Sequence, residues 1–181
     1  GTMKLAGEYV TKGLCAQYKI PYTIIRPSAV YGPTDMNLRV SQYFIEKALN
    51  KQIELEASSS QFYLSMASWT ETKGLSGSSS FLYHHSDEER QHMLKLVKFI
   101  NERGGKALIP ALIQPPKTFK SLTHVFESLL EHELNVTESI NNIVGLCLDE
   151  KDFTTHNFMQ WYVAEQLEEE ALARTIIDRL N

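Results

Sequence analysis

Glu89 and His92, in the stretch Glu89-Arg90-Gln91-His92, form an E-x-x-H pair. On a helix, residues three apart share a face, so a carboxylate and an imidazole at this spacing can grip one cation. Any surface helix can offer such a pair, and its value here comes from its company. Glu56 precedes Glu89 by 33 residues, and Glu133 precedes Gln166 by the same 33. Gln166 opens Gln166-Leu167-Glu168-Glu169, a second polar pair at i, i+3. Two helical hairpins, each with a single carboxylate on its first helix and a pair on its second, are expected. Packed together, they bring Glu56, Glu89, His92, Glu133 and Glu169 around one point in a bundle core.

Four bare carboxylates in a core are costly, because each unpaired buried charge is worth several kcal/mol. Two divalent cations balance Glu56, Glu89, Glu133 and Glu169, four charges against four. Oxygen ligands with one imidazole suit iron or manganese better than softer metals. Iron so held can pass from Fe(II) to Fe(III) with O2 taking up the electrons. Tyr63 lies seven residues after Glu56 on the same face and is a candidate hydrogen-bond or electron donor. The bland reading of helical carboxylates is a solvated face, and it is the one expected for Glu54, Glu102, Glu131 and Glu170. His84, His85, His124, His132 and His156 are expected at the surface or an interface, and Trp161 in packing.

These residues need long helices to carry them, and the chain supplies four after about residue 40. The first runs from about Leu38 to Thr72 and stops at Lys73-Gly74, a basic residue before a terminating glycine. The second runs from about Gly77 to Glu102 and stops at Gly104-Gly105. Pro110, Pro115 and Pro116 then exclude helix. The third runs from about Ser121, a plausible N-cap, to Leu148. The fourth starts near Asp152, another plausible cap, and reaches the C-terminus. Helices of more than about 20 residues exceed about 30 Å in length. Short links within each pair and one long link between pairs predict an all-α four-helix bundle with a single crossover. Before residue 40 the chain reads as α/β: helical spacing over Leu5–Tyr18, a β-rich run Pro21–Pro27 closed by proline, and a turn-like stretch Ser28–Met36. The expected domains are therefore an arm over 1–40 and a bundle over 41–181.

Composition excludes little else. Of 181 residues, 43% are hydrophobic and 22% charged, and the net charge of −4 leaves no basic footprint for nucleic acid. No apolar run of membrane-spanning length and no signal peptide stand out. Cys15 and Cys147 are far apart and form no C-x-x-C; both are expected to be reduced in a cytoplasmic protein.

From about Phe44 to Leu180 the chain resembles a bacterial non-haem ferritin. The matching stretches include Leu49-Asn50-Lys51-Gln52-Ile53-Glu54-Leu55-Glu56-Ala57, Tyr63-Leu64-Ser65-Met66, Glu88-Glu89-Arg90-Gln91-His92-Met93, Glu131-His132-Glu133 and Asn157-Phe158-Met159-Gln160-Trp161-Tyr162-Val163-Ala164-Glu165-Gln166-Leu167-Glu168-Glu169-Glu170. The resemblance implies a ferritin-like fold and an intrasubunit di-iron ferroxidase centre. One iron would sit at Glu56, Glu89 and His92. A second would sit at Glu89, Glu133 and Glu169, with Glu89 bridging and Gln166 alongside. Glu88, Glu165 and Glu168, sharing Glu169, match that family's additional third iron site. The family oxidises Fe(II) with O2 and stores ferric mineral in homo-oligomeric cages of twenty-four subunits.

Haem-containing bacterioferritin resembles this pattern but places E-x-x-H on the fourth helix, where this chain has Gln166-Leu167-Glu168-Glu169. Rubrerythrin adds a cysteine-ligated iron for which the cysteines here are unsuited. Ferritins usually continue into a short fifth helix lining a cage channel; this sequence ends at Asn181, a departure that bears on the cage contacts and channel and leaves the expected iron site untouched. Residues 1 to about 48 are similar to an extended short-chain dehydrogenase or sugar-nucleotide epimerase, through Gly1-Thr2-Met3-Lys4-Leu5-Ala6-Gly7-Glu8 and Ile25-Arg26-Pro27-Ser28-Ala29-Val30-Tyr31-Gly32-Pro33. Lys4 matches the lysine of that family's Tyr-x-x-x-Lys motif, but neither the tyrosine nor the glycine-rich nucleotide fingerprint is in the sequence. The segment reads as an appended fragment. The competing functions are a nucleotide-sugar oxidoreductase fragment and a non-catalytic bundle that uses its acids for packing.

Overall fold

The computed structural model describes residues 2–21 and 40–180. Most of the expected β-rich run and all of the turn-like stretch before residue 37 lie outside those residues. The chain separates into two units, Gly1–Arg39 and Val40–Asn181. In the first, α1 spans Thr2–Tyr18 and exposes Tyr9, Val10, Leu14 and Tyr18.

The second unit holds α2 (Val40–Thr72), α3 (Ser76–Glu102), α4 (Leu122–Asp149) and α5 (Phe153–Leu180). Among the described residues there is no strand. The expected punctuation is visible at the helix ends. Gly74 has φ +75° and lets α2 close on itself, Leu75 N–H donating to the Thr70 carbonyl at 3.1 Å. Gly104 at φ +78° does the same for α3. Ser121 Oγ accepts from His124 N–H at 3.0 Å to cap α4. Asp152 accepts from Thr155 N–H at 3.1 Å to start α5, and Arg103 at the end of α3 donates to the same carboxylate at 2.6 Å.

Helix α2 packs along α3, α4 along α5, and α2 also meets α4. The links within each pair are a few residues long, whereas residues 103–121 run between pairs. That crossover is tied to α2: Lys106 N–H donates to Glu46 at 3.0 Å and Leu108 N–H to Asn50 at 2.7 Å. This is the four-helix bundle with one crossover that the spacing predicts. Among the described residues, no helix is long and apolar enough to cross a membrane.

The bundle core falls into two apolar clusters. One joins Ile45, Leu49, Ile53, Leu96, Ile100, Ile140, Ile143 and Met159. The other joins Met66, Ala67, Leu82, Val125, Phe126 and Leu129 with Tyr63. Cys147 is free and packs in the first cluster; Cys15, also free, is half-buried in the other unit. Buried polar side chains fill the level between the clusters: Gln52, Glu56, Ser59, Ser60, Ser86, Glu89, His92, Glu133, Gln166 and Glu169. Here α2 and α3 interlock. Ser60 Oγ donates to the Ser86 carbonyl at 2.7 Å, and Ser86 Oγ donates to the Ser60 carbonyl at 2.8 Å.

Candidate metal centre

Each helix of the bundle turns at least one acid inward. The apolar set of α2 includes Ile53, Ala57, Tyr63 and Met66, and Glu56 falls within that inward stripe, where it is 1% exposed. On α3, Glu89 and His92 follow Leu82 and precede Leu96 along the buried face. On α4, Glu133 sits between Leu129 and Val136. On α5, Gln166 and Glu169 follow Met159 and Tyr162. The helical period that builds the core therefore also delivers the polar groups to its middle.

Glu56, Glu89 and His92 bring one ligand atom apiece to within 4.8 Å of one another. His92 Nδ1 stands 3.7 Å from Glu56 Oε2 and 3.7 Å from Glu89 Oε1. Those separations are too long for hydrogen bonds and suit three ligands facing a common point. Burial opposes the charge on His92, but Glu56 and Glu89 outweigh it and raise the imidazole to about 10. Without a metal, the proton on His92 is thus the local counter-charge. Burial pushes Glu89 well up, aided by Glu56 and Glu133 and resisted by His92.

Glu133 is held differently. Tyr63 donates to its Oε1 at 3.0 Å, and Gln166 Nε2 donates to its Oε2 at 3.1 Å. Burial nevertheless raises Glu133 to about 7, with Glu169 and Glu56 adding to the rise and the two donors resisting it. Tyr63 is pushed well above the usual phenol range by burial and by Glu133, Glu169 and Glu89. It is therefore a proton-bearing donor throughout the physiological range.

Glu169 faces a second group. His85 Nδ1 lies 3.4 Å from Glu169 Oε1 and 3.4 Å from Glu88 Oε2, neither aligned as a hydrogen bond, and the atom is buried without a partner. His85, Glu88 and Glu169 also present ligand atoms within 4.8 Å of one another. His85 is 7% exposed, stacked on Tyr63 with ring centres 5.5 Å apart. This corrects the expectation of a surface or interface histidine. His132 also turns inward, to Ser59 Oγ at 2.7 Å.

Glu165 is half-buried with one oxygen 3.9 Å from His92 Nε2, and burial raises its pKa. Glu168 stays on the exposed face of α5. Trp161, expected to serve as packing, is 37% exposed; it stands edge-on to His92 with Lys95 Nζ 3.3 Å from its ring centre.

No Lys or Arg among the described residues pairs with Glu56, Glu89, Glu133 or Glu169. A buried acid cluster with no fixed cation, one imidazole and an unpartnered histidine nitrogen is a donor set suited to hard or borderline divalent metal ions.

Fold and cluster together define a helical-bundle protein with a carboxylate-rich candidate metal centre. Comparison with known proteins makes the class specific. Residues 46–181 match the ferritin-like domain family, and the chain belongs to it. It is 46% identical over 137 residues to a probable bacterial non-heme ferritin-like protein of Haemophilus influenzae, covering 76% of this chain and 83% of that protein. It is 45% identical over 137 residues to a bacterial non-heme ferritin of Campylobacter jejuni, covering 76% and 82%. Among solved structures, an open pore ferritin of Archaeoglobus fulgidus superposes with TM-score 0.75 at 44% identity, over 76% of this chain and 84% of that one. A ferritin of Chlorobium tepidum gives TM-score 0.74 at 42% identity over the same shares.

Residues 1–70 also match the NAD dependent epimerase/dehydratase family. The two matches overlap over 46–70, and the structure gives that stretch to α2, with Glu56 and Tyr63 in the bundle core.

Proposed function

We propose that this chain takes up Fe(II), oxidises it with O2 at the buried centre of each bundle, and stores the ferric product inside a homo-oligomeric cage. The observation that supports this most strongly is the burial of Glu56, Glu89, Glu133 and Glu169 with His92 and, among the described residues, no Lys or Arg partner. In this reading Glu56, Glu89 and His92 hold one Fe(II), and Glu89, Glu133 and Glu169 the second, with Glu89 shared. Each Fe(II) gives one electron to O2, and paired ions allow O2 to receive two electrons together.

The residues around the substrate ions have separable tasks. His92 must release its proton to bind iron, and Glu89 and Glu133 must be ionised, so uptake expels protons. Tyr63 and Gln166 hold Glu133 by both oxygens, each of which keeps a lone pair for a metal, so the two donors orient the ligand. Glu88, Glu165 and Glu168 with Glu169 form a third iron site in this reading, and His85 joins them from the buried side. The activity resides in the bundle over residues 41–181, with the arm over 1–40 outside it. The setting is cytoplasmic, and the cage contains twenty-four subunits.

The test is Fe(II) added without air, followed by O2. Stoichiometric Fe(II) binding, then O2 uptake and a soluble brown product from a particle of about twenty-four chains, is the expected result. Absence of Fe(II) binding, with NAD(P)H binding instead, would favour the dehydrogenase reading suggested by residues 1–70.

A further inference from the structure

Gln52 is wholly buried, with 0% exposure, one helical turn before Glu56 on α2. Its amide is tied at both ends. Ser139 Oγ on α4 donates to Gln52 Oε1 at 2.6 Å, and Gln52 Nε2 donates to Glu56 Oε1 at 2.7 Å. The two contacts fit one orientation of the amide. The Glu56 carboxylate accepts and cannot donate, so Gln52 turns its nitrogen to it and its oxygen toward α4, where the Ser139 hydroxyl donates and braces it. With Oε1 engaged, Glu56 turns its other oxygen, Oε2, toward His92 Nδ1 at 3.7 Å.

We propose that Gln52, braced at its oxygen by Ser139, is a positioning residue that presents Glu56 to the metal through a single oxygen. This rests on the iron-site reading above. It also assigns a difference between the two ions. Glu56 belongs only to the ion shared with His92, so the relay acts on that ion and leaves the one at Glu133 and Glu169 unaffected. Partners that orient a ligand carry a large share of metal affinity, typically about ten- to a hundredfold. Ser139 also links α4 to a ligand on α2, so the relay ties the two helical pairs together beside the centre.

The test uses the whole chain and Co(II) as a redox-silent probe, titrated calorimetrically without air. Wild type is expected to take up Co(II) in resolved steps, two of them at the paired sites. Gln52→Leu, close in volume but without the donor, is expected to weaken the step that His92→Ala also abolishes by about tenfold, with the other step unchanged. Ser139→Ala is expected to weaken that same step by about threefold, and Ser139→Thr, which keeps a hydroxyl, to restore it. Equal weakening of both steps would overturn the proposal, as would unchanged binding in folded Gln52→Leu. If Gln52→Leu does not fold, the Ser139→Ala and Ser139→Thr pair decides alone: no difference between them overturns the relay. Failure of wild type to bind Co(II) at all would instead overturn the metal-site reading itself.

Discussion

The core of this bundle contains two kinds of material, and they pull in opposite directions. The apolar clusters around Ile53, Leu96 and Ile140 and around Met66, Leu82 and Phe126 hold the helices together by excluding water. The polar level between them carries four buried acids, and two of them record the strain of confinement: Glu89 is pushed well up and Glu133 to about 7. One region stabilises the fold; the other uses part of that stability to hold acids whose burial raises Glu89 and Glu133 despite their hydrogen-bond donors and the imidazole beside them. Stability and function in this protein should therefore be separable by mutation.

The sharpest way to break that comparison is to remove ligands. His92→Ala and Glu89→Ala should each slow the fast phase of O2-dependent Fe(II) oxidation about a hundredfold or more, since even partners of ligands contribute up to about that factor. Glu165→Ala should slow it far less. Equal rates in the three variants, measured by stopped-flow absorbance, would undo the assignment of roles. The neutral substitution Glu89→Gln should meanwhile raise the Tm of the metal-free protein, because it deletes a confined charge.

The reverse experiment is a cavity. Leu82 is 0% exposed in the second cluster, and Leu82→Ala should reduce stability by about 2–5 kcal/mol in denaturant melts. Its Fe(II) stoichiometry should match wild type below the transition.

Acidity sharpens the contrast further. A carboxyl raised on folding stabilises the protein fully below its unfolded value of 4.5, and that contribution disappears as pH rises through about 7 for Glu133. His92, raised from 6.5 to about 10, adds a loss of the same sign over that higher range. The metal-free protein should lose on the order of 3 kcal/mol between about pH 4.5 and about pH 7. Saturating Zn(II) should reverse the slope, because metal binding gains as protons leave. A flat Tm–pH profile in the metal-free protein would count against confined acids.

The smallest effect is expected at Tyr63. Tyr63→Phe removes one donor to Glu133, worth about 1 kcal/mol. Oxidation should slow severalfold, with Fe(II) stoichiometry unchanged.

Much of the fold was legible because helices announce themselves at their ends. Gly74, Gly104, Ser121 and Asp152 each mark a boundary by local chemistry that needs no knowledge of the rest of the chain. The repeated 33-residue offset was legible too, since two hairpins of similar helix length and short links bring such residues to one level. Gln52 was not singled out, because a glutamine four residues before a glutamate is ordinary on a solvated helix. Its distinction comes from Ser139, a residue on another helix. His85 was misjudged for the same reason: Glu88 is visible nearby in sequence, whereas Glu169 arrives from α5. Trp161 looked like core because it is large and apolar, yet it covers the outer edge of His92. Local signals reveal where helices begin and end; the partners of a buried polar group are a property of packing.

The paired serines between α2 and α3 carry a consequence for how the centre fits an ion. Ser60 is one turn after Glu56, and Ser86 is three residues before Glu89. Their crossed hydroxyl–carbonyl contacts work as a calliper, setting how far apart two backbones stand beside the centre. The spacing of the two helices that carry Glu56 and Glu89 is thus set by main-chain contacts, and the carboxylate torsions adapt the ligands to an ion within it.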